Sequence, residues 1–475
     1  TIDTLRRDHV SCYGYSRATT PTLDRLASEG VVFDHASTPR AKTTPALASL
    51  FSGAYPHDHG VRDLLQPIAP GLRPIPMAFT DAGYRCAAIV GNFVLQDRYC
   101  GLRSGFHAYI ESLPSKQGVP PDDVAQRTAK SMTQAGLVAL GLERAPAREE
   151  DGPPFEPRAP LVDPARPWFL WMHYMDPHGA YEPPEEHRIF HAEAPRWIDP
   201  RQAATTPERK TRISEYNVPA SARGSDGRID AAAVVDLYDG EIHYADAELG
   251  RLLEALRTRG DLARTWVIVT ADHGESLGEQ DYWFEHGFYA FESTCAIPMI
   301  VRPPDDLKNR PAPGRRASLV SLTDLGATIP SWLELPWNER DYPPNVVRGI
   351  CRPDLLREDD LGPRESYSEK VEGADRTGTV QIKAVRQGRW KLIRRFANMP
   401  GGSGGQAGLK WLSEELYDLD ADPLESRDLS ALPPTDAPLA TLRGLLMRFA
   451  ACDKPFTAQI HADPEAIRAL KALGY

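Results

Sequence analysis

Cysteine is scarce in this 475-residue chain: Cys12, Cys86, Cys100, Cys295, Cys351 and Cys452, with no CxxC spacing. A chain of this length buries a large core and needs no disulfide framework or structural metal in order to fold. The six thiols read as mostly free and partly buried. A Cys86–Cys100 pair in an oxidising compartment stays open. Long apolar runs are also missing. None reaches the ~18–20 residues that a membrane span requires, and no signal peptide is visible. Positive charge is in deficit, with 55 Lys and Arg against 66 Asp and Glu, a net charge of −11. That balance argues against nucleic acid or an anionic membrane as the main partner. There is no internal repeat.

What is present is ordinary for a globular enzyme, 41% hydrophobic and 25% charged residues. The length points to two or three domains, or to one large α/β domain with a smaller partner. Thr1-Ile2-Asp3 reads as the end of a buried strand, so further residues are expected before it. The compartment is left open between periplasm, cell exterior and cytoplasm, and the oligomeric state is also open.

Apolar runs alternate with amphipathic stretches, the pattern of a mostly parallel α/β sheet. Residues 86–90, 168–173, 266–270 and 298–301 read as buried strands. Thr20-Pro21 opens one helix. Residues 44–52 form another, started by Pro45, and residues 232–257 a long amphipathic one. Residues 145–167 are rich in proline and charge and read as a surface insertion. After about residue 365 the pattern changes. Residues 380–385 and 389–394 alternate like a hairpin around Gln387-Gly388, and 415–419 adds a further strand. A Gly/Ser tract at 401–408 reads as a loop, and residues 438–451 and 463–473 read as helices. The chain is therefore divided at residue 365: a catalytic domain over 1–365 and a small-sheet domain over 366–475.

Four segments set polar residues at the exit of a strand or the start of a helix, where ligands bind in open α/β sheets. Asp3 leaves the first strand as a hard metal ligand, or else as a helix cap. Thr43-Thr44 precedes Pro45, where the free N–H groups of a helix start stabilise an alkoxide or an oxyanion; simple capping is the alternative. His178 follows the 168–173 strand and is placed to donate to an ester oxygen, or holds a turn. Asp272-His273-Gly274 ends the 266–270 strand and offers oxygen and nitrogen donors to one ion. His286 adds an imidazole close by in sequence.

With these segments in view the chain resembles the sulfatase family of the alkaline phosphatase superfamily. Asp3 to His9, Cys12-Tyr13-Gly14-Tyr15, Thr19 to Ala27, Ala48 to Gly53 with Tyr55-Pro56 and His59-Gly60-Val61, Glu292 to Pro298, Glu415 to Leu419 with Asp422-Pro423, and the ending Arg468 to Tyr475 follow that family's order and spacing. The resemblance implies a large, mixed, mostly parallel sheet between helices and a smaller C-terminal antiparallel sheet with helices. It implies Asp3, Asp272 and His273 as metal ligands, Thr43 at the nucleophile position, and His178 and His286 against the ester oxygens.

The departures shape the chemistry. Sulfatases usually carry a cysteine or serine that is oxidised to formylglycine, and the secondary alcohol of Thr43 cannot give that aldehyde. The arginine four residues later is Leu47, with Lys42 the neighbouring basic residue. The second acidic ligand beside Asp3 is Thr4, and the usual downstream lysine is replaced around His286. The expected reaction is direct attack by Thr43 on a sulfate or phosphate ester, assisted by a divalent metal. Asp3, Thr43, Asp272 and His273 make a four-ligand site. Its nitrogen donor favours Mn²⁺ or Zn²⁺ over Ca²⁺, with a second ion left open. The partner is an anionic ester. A phosphoglycerol- or phosphoethanolamine-type transferase and an inactive binding protein are the alternatives.

Overall fold

The computed structural model describes residues 1–69, 71–113, 126–148, 155–163, 165–202, 212–337, 349–359, 361–371, 380–398, 409–452 and 470. The 401–408 tract lies outside them, as do residues 149–154 and 164 of the proposed insertion and, Leu470 aside, the 463–473 helix.

Short apolar runs form the central strands. Arg85–Val90 lies between Ala108–Ile110 and Trp168–His173 and is parallel to both. Met299–Arg302 runs antiparallel to Val267–Thr270 on one side and to Val31–Ser37 on the other, and Gly314–Ser321 lies parallel to Val31–Ser37. Ile2 joins the two groups: it bridges Tyr174 and Ala271, parallel to each. The sheet is mixed, as expected, with the strand ends shifted by a residue or two. Val31–Ser37 and Gly314–Ser321 are additions to the expected set. A cavity of about 510 Å³ lies between Trp168–His173 and Val267–Thr270, and none of Asp3, Thr43, Asp272 or His273 lines it.

Two helices position the strand exits. Thr43–Ser52 is buried along its whole length and ends at Gly53 in the left-handed region, φ 63°. It packs so tightly on Leu322–Trp332 that a Cβ on Gly326 would sit 2.0 Å from the Leu50 carbonyl oxygen. Ala231–Arg259 is capped by Asp230, whose side chain accepts from Ala232 N at 3.1 Å. From its second turn the Tyr238 hydroxyl donates to Thr4 O at 2.6 Å and accepts from Arg6 N at 3.0 Å. The long helix thereby fixes the backbone on either side of the first strand exit. Cys86 and Cys100 form no disulfide with each other: their Sγ atoms meet the Pro76 and Leu95 carbonyl oxygens at 3.7 and 3.3 Å.

Glu365–Lys370, Val380–Gln387, Trp390–Asn398 and Leu409–Asp418 form a four-stranded antiparallel sheet. The helix Leu439–Ala451 covers it with Leu442, Leu445 and Leu446 against Val385, Leu392, Phe396 and Leu416. An ionic network ties this sheet to the rest of the chain. Glu292 meets Arg386 at 2.9 Å and Lys391 at 2.8 Å, and Lys391 also meets Glu425 at 2.9 Å. Lys391 is 2% exposed, so its removal strands buried carboxylates. Lys391→Met is expected to cost about 3 kcal/mol in urea unfolding, at the low end of the range for breaking a buried pair. Adding Glu425→Gln should recover much of that loss, and a double variant no better than the single would discount the network.

Candidate active site

Sequence-distant segments converge at the carboxyl ends of the central strands. Asp3 follows the Ile2 bridge, and Asp272-His273 follows Val267–Thr270 and the Ala271 bridge. Thr43 is the first residue of its helix, not the residue before it, and the cap is Lys42. The Thr43 hydroxyl lies 3.4 Å from Asp3 Oδ2 and 3.4 Å from His273 Nε2. Donor atoms of Asp3, Asp272 and His273 all lie within 4.8 Å of one another. Thr44 is not part of this group; its hydroxyl donates to Val94 O at 3.3 Å.

The donor set fits a divalent cation. Asp3 Oδ1 and Asp272 Oδ2 are buried oxygens with no hydrogen-bond partner among the described residues, in side chains that are fully buried. Such oxygens are costly unless something positive meets them. His273 Nδ1–H donates to Gly274 O at 3.0 Å, which fixes the tautomer and leaves the Nε2 lone pair 3.4 Å from Asp272 Oδ2 and 3.7 Å from Asp3 Oδ1. The other oxygens are occupied. Asp272 Oδ1 accepts from His273 N at 2.9 Å and Thr4 N at 3.3 Å. Thr4 adopts φ 52°, an uncommon region for a β-branched residue, where this strand exit turns.

Electrostatics favour the same reading. Burial pushes the Asp3 carboxyl up, but the His173 hydrogen bond and the charges of the surrounding histidines outweigh it and hold Asp3 low. Burial, then the Asp3 charge, pushes Asp272 up to about 8. Two carboxylates this close do not both ionise without a cation. Burial lowers His273, against the pull of the Asp3 charge, which favours the neutral imidazole that a metal ion binds.

His178 and His286 stand beside this group. Their ring centroids are 5.3 Å apart, and His286 lies 4.3 Å from the His273 ring. His178 Nδ1–H donates to Gly179 O at 2.9 Å. His286 Nδ1 lies 3.2 Å from Glu275 Oε1, and the Tyr181 hydroxyl donates to Glu275 Oε2 at 3.1 Å. Burial lowers both imidazoles, and for His286 the neighbouring His273, His178 and Lys42 add to the effect. Lys42 Nζ meets Asp63 at 2.6 Å.

Two residues at the centre are absent from the set that the sequence singles out. His173 Nε2–H donates to Asp3 Oδ2 at 3.2 Å, and Asn92 Nδ2 donates to the same oxygen at 3.3 Å. A signal for them exists: His173 ends the apolar strand Trp168–His173, and Asn92 follows Arg85–Val90 by two residues.

The sulfatase family model matches residues 1–335. The chain is 24% identical over 389 residues to an arylsulfatase of Clostridium perfringens, an alignment covering 75% of this chain and 77% of that protein. It is 23% identical over 460 residues to the choline-sulfatase of Rhizobium meliloti, covering 89% and 80%. The solved phosphonate monoester hydrolase of Agrobacterium radiobacter is similar in fold, with a TM-score of 0.63 at 20% identity, covering 95% of this chain and 94% of that one. Since the family match runs through well over half of the sequence and takes in Asp3, Thr43, Asp272 and His273, this chain belongs to the sulfatase family of ester hydrolases.

Proposed function

We propose that Thr43 is the direct nucleophile of a metal-assisted hydrolysis, acting on a phosphate mono- or diester in preference to a sulfate ester. The observation that carries this is the Thr43 hydroxyl, 3.4 Å from both Asp3 and His273 in the first turn of a buried helix. Asp3, Thr43, Asp272 and His273 would hold the ion, with Mn²⁺ or Zn²⁺ suited to the imidazole donor. When bound, the ion neutralises the ester and lowers the pKa of the hydroxyl.

The chain's own groups account for the remaining steps. Asp3 Oδ2 is the carboxylate within reach of the Thr43 proton. Thr43 Oγ1 attacks phosphorus in line, the bond to the alcohol oxygen breaks, and His178 or His286, entering the step as the imidazolium, supplies the proton that leaves with the alcohol. Water then cleaves the phospho-threonine ester and releases phosphate or a phosphomonoester. The first-turn N–H groups of Thr43–Ser52 add positive potential where charge builds up on the ester oxygens. The His173 and Asn92 hydrogen bonds hold the Asp3 carboxylate in place. We assign the catalytic unit to residues 1–365 and the small-sheet unit to residues 366–475.

The test is a panel of nitrophenyl phosphate, phosphodiester and sulfate esters with added Mn²⁺ or Zn²⁺. Phosphorus esters should turn over faster, and a clear preference for sulfate would reject the substrate assignment. His178→Ala should lower kcat/KM on alkyl esters by about 10²-fold, the low end of general-acid catalysis. Nitrophenyl esters, whose leaving group departs without a proton, should lose far less. Equal losses on both ester types would remove His178 from the acid role.

A further inference from the structure

Outside the ligand group, the most distinctive feature beside the nucleophile is a half-buried aromatic ring met by cations. Phe288 lies two residues past His286. The Arg212 guanidinium stacks on it with Cζ 3.3 Å from the ring centroid, and Lys42 Nζ and Lys370 Nζ lie 6.0 and 5.9 Å from the same centroid. Lys42 directly precedes Thr43, and Lys370 arrives from the C-terminal sheet. Arg40, two residues before Lys42, donates to the carbonyls of Arg62 and Gly287, so a further guanidinium backs the same corner. In a chain of net charge −11 this corner gathers four cations, of which Arg40, Lys42 and Lys370 are buried.

Arg212 is held in a definite orientation. Its Nε and Nη2 donate to Glu285 Oε2 and Oε1 at 3.2 and 3.4 Å, and the ring supports its face. Nη1 carries no hydrogen bond among the described residues, and the side chain is 34% exposed. A guanidinium fixed on two sides and open on a third is a ready anion receptor, since its planar fork matches carboxylate and oxyanion geometry. The carboxylates at this corner, Asp63 and Glu285, already face Lys42 and Arg212.

We infer that the substrate carries a second anionic group, on its alcohol portion, received by Arg212 above Phe288 with Lys42 and Lys370 contributing charge. This rests on the reading of Thr43 as nucleophile, because that reading makes the Lys42–His286–Phe288 side the neighbourhood of the leaving group. The ester itself occupies the ion and Thr43. The second group, a carboxylate, sulfate or phosphate, selects among substrates, and Arg212 is a specificity residue.

The experiment compares 4-nitrophenyl and 3-carboxy-4-nitrophenyl esters of the same acid. The wild type should show a KM about tenfold lower for the carboxylated ester, the worth of one charge-assisted contact. That advantage should shrink with added salt. In Arg212→Ala the ratio of the two KM values should fall to near one, with Arg212→Lys in between. Calorimetric binding of the two free phenols to the wild type and to Arg212→Ala reads the same preference without turnover. An inactive enzyme that still prefers the carboxylated phenol would count against the nucleophile assignment alone. Equal KM values in the wild type, equal phenol binding, or a preference that survives Arg212→Ala would overturn the second anionic subsite.

Discussion

Thr43→Ala should lower kcat by about 10³-fold or more, the scale on which losing an attacking group is felt, while the protein stays folded and still takes up its ion. The hydroxyl contributes only two long contacts, each 3.4 Å, so its removal costs little stability. Alanine suits a first-turn position, and the remaining helix contacts are untouched. Asp3, Asp272 and His273 keep three donors together without Thr43. Thr43→Ser keeps the hydroxyl and should keep measurable activity. Rapid acid quench of the wild type, followed by mass analysis of the peptide containing residue 43, should reveal the covalent ester, and the alanine variant should show none. Ester turnover at the wild-type rate in Thr43→Ala would end the direct-attack mechanism.

Asp272→Asn is expected to abolish ion-linked stabilisation and to reduce activity by about 10²-fold or more, since its charged oxygen is a proposed ligand. In the wild type an ion at about one hundred times its Kd should stabilise the fold by about 2.7 kcal/mol. The variant should gain almost nothing. The ion-free proteins should rank the other way at alkaline pH. The folded ion-free chain holds the Asp272 proton up to about pH 8. The unfolded chain releases it near the ordinary carboxylate value of about 3.9. The folded state therefore binds more protons between these values, and its stability declines as pH rises from about 4 through 8. The Asp272→Asn side chain has no such proton to lose and preserves an acceptor for the Thr4 and His273 amides. Ion uptake expels the Asp272 proton, so affinity should climb over the same interval. Thermal melts with and without Mn²⁺ or Zn²⁺ across pH test all three points. Equal ion-induced shifts in both proteins would remove Asp272 from the ligand set.

How much of this can be read from the chain alone depends on local contrast. Asp272 and His273 stand out because Val267–Thr270 is uniformly apolar and then abruptly polar. The strand Val31–Ser37 is hard to see in the sequence because Asp34 and His35 interrupt it. In the folded chain Asp34 is answered by Arg315 from the neighbouring Gly314–Ser321, a cross-strand pair invisible to any one-segment pattern. The helix start differs from expectation by one residue because Pro45 suggests a hydroxyl cap, whereas Lys42 takes that place and its side chain turns to Asp63 instead of capping the helix. A histidine closing an aromatic-rich strand looks like core, and only the approach of Asp3 from 170 residues away gives His173 a role. Arg212 has no sequence signature at all, since its partners Glu285 and Phe288 lie more than seventy residues on.

The groups around Asp3 are separated from it along the chain by 40, 89, 170 and up to 270 residues. Loops of that span close late, after most of the sheet has been laid down. A cation held by Asp3, Thr43, Asp272 and His273 would have nothing to grip in a half-assembled chain. It would act as a latch on the finished molecule, lengthening the life of the native state while leaving the pace of its assembly unchanged.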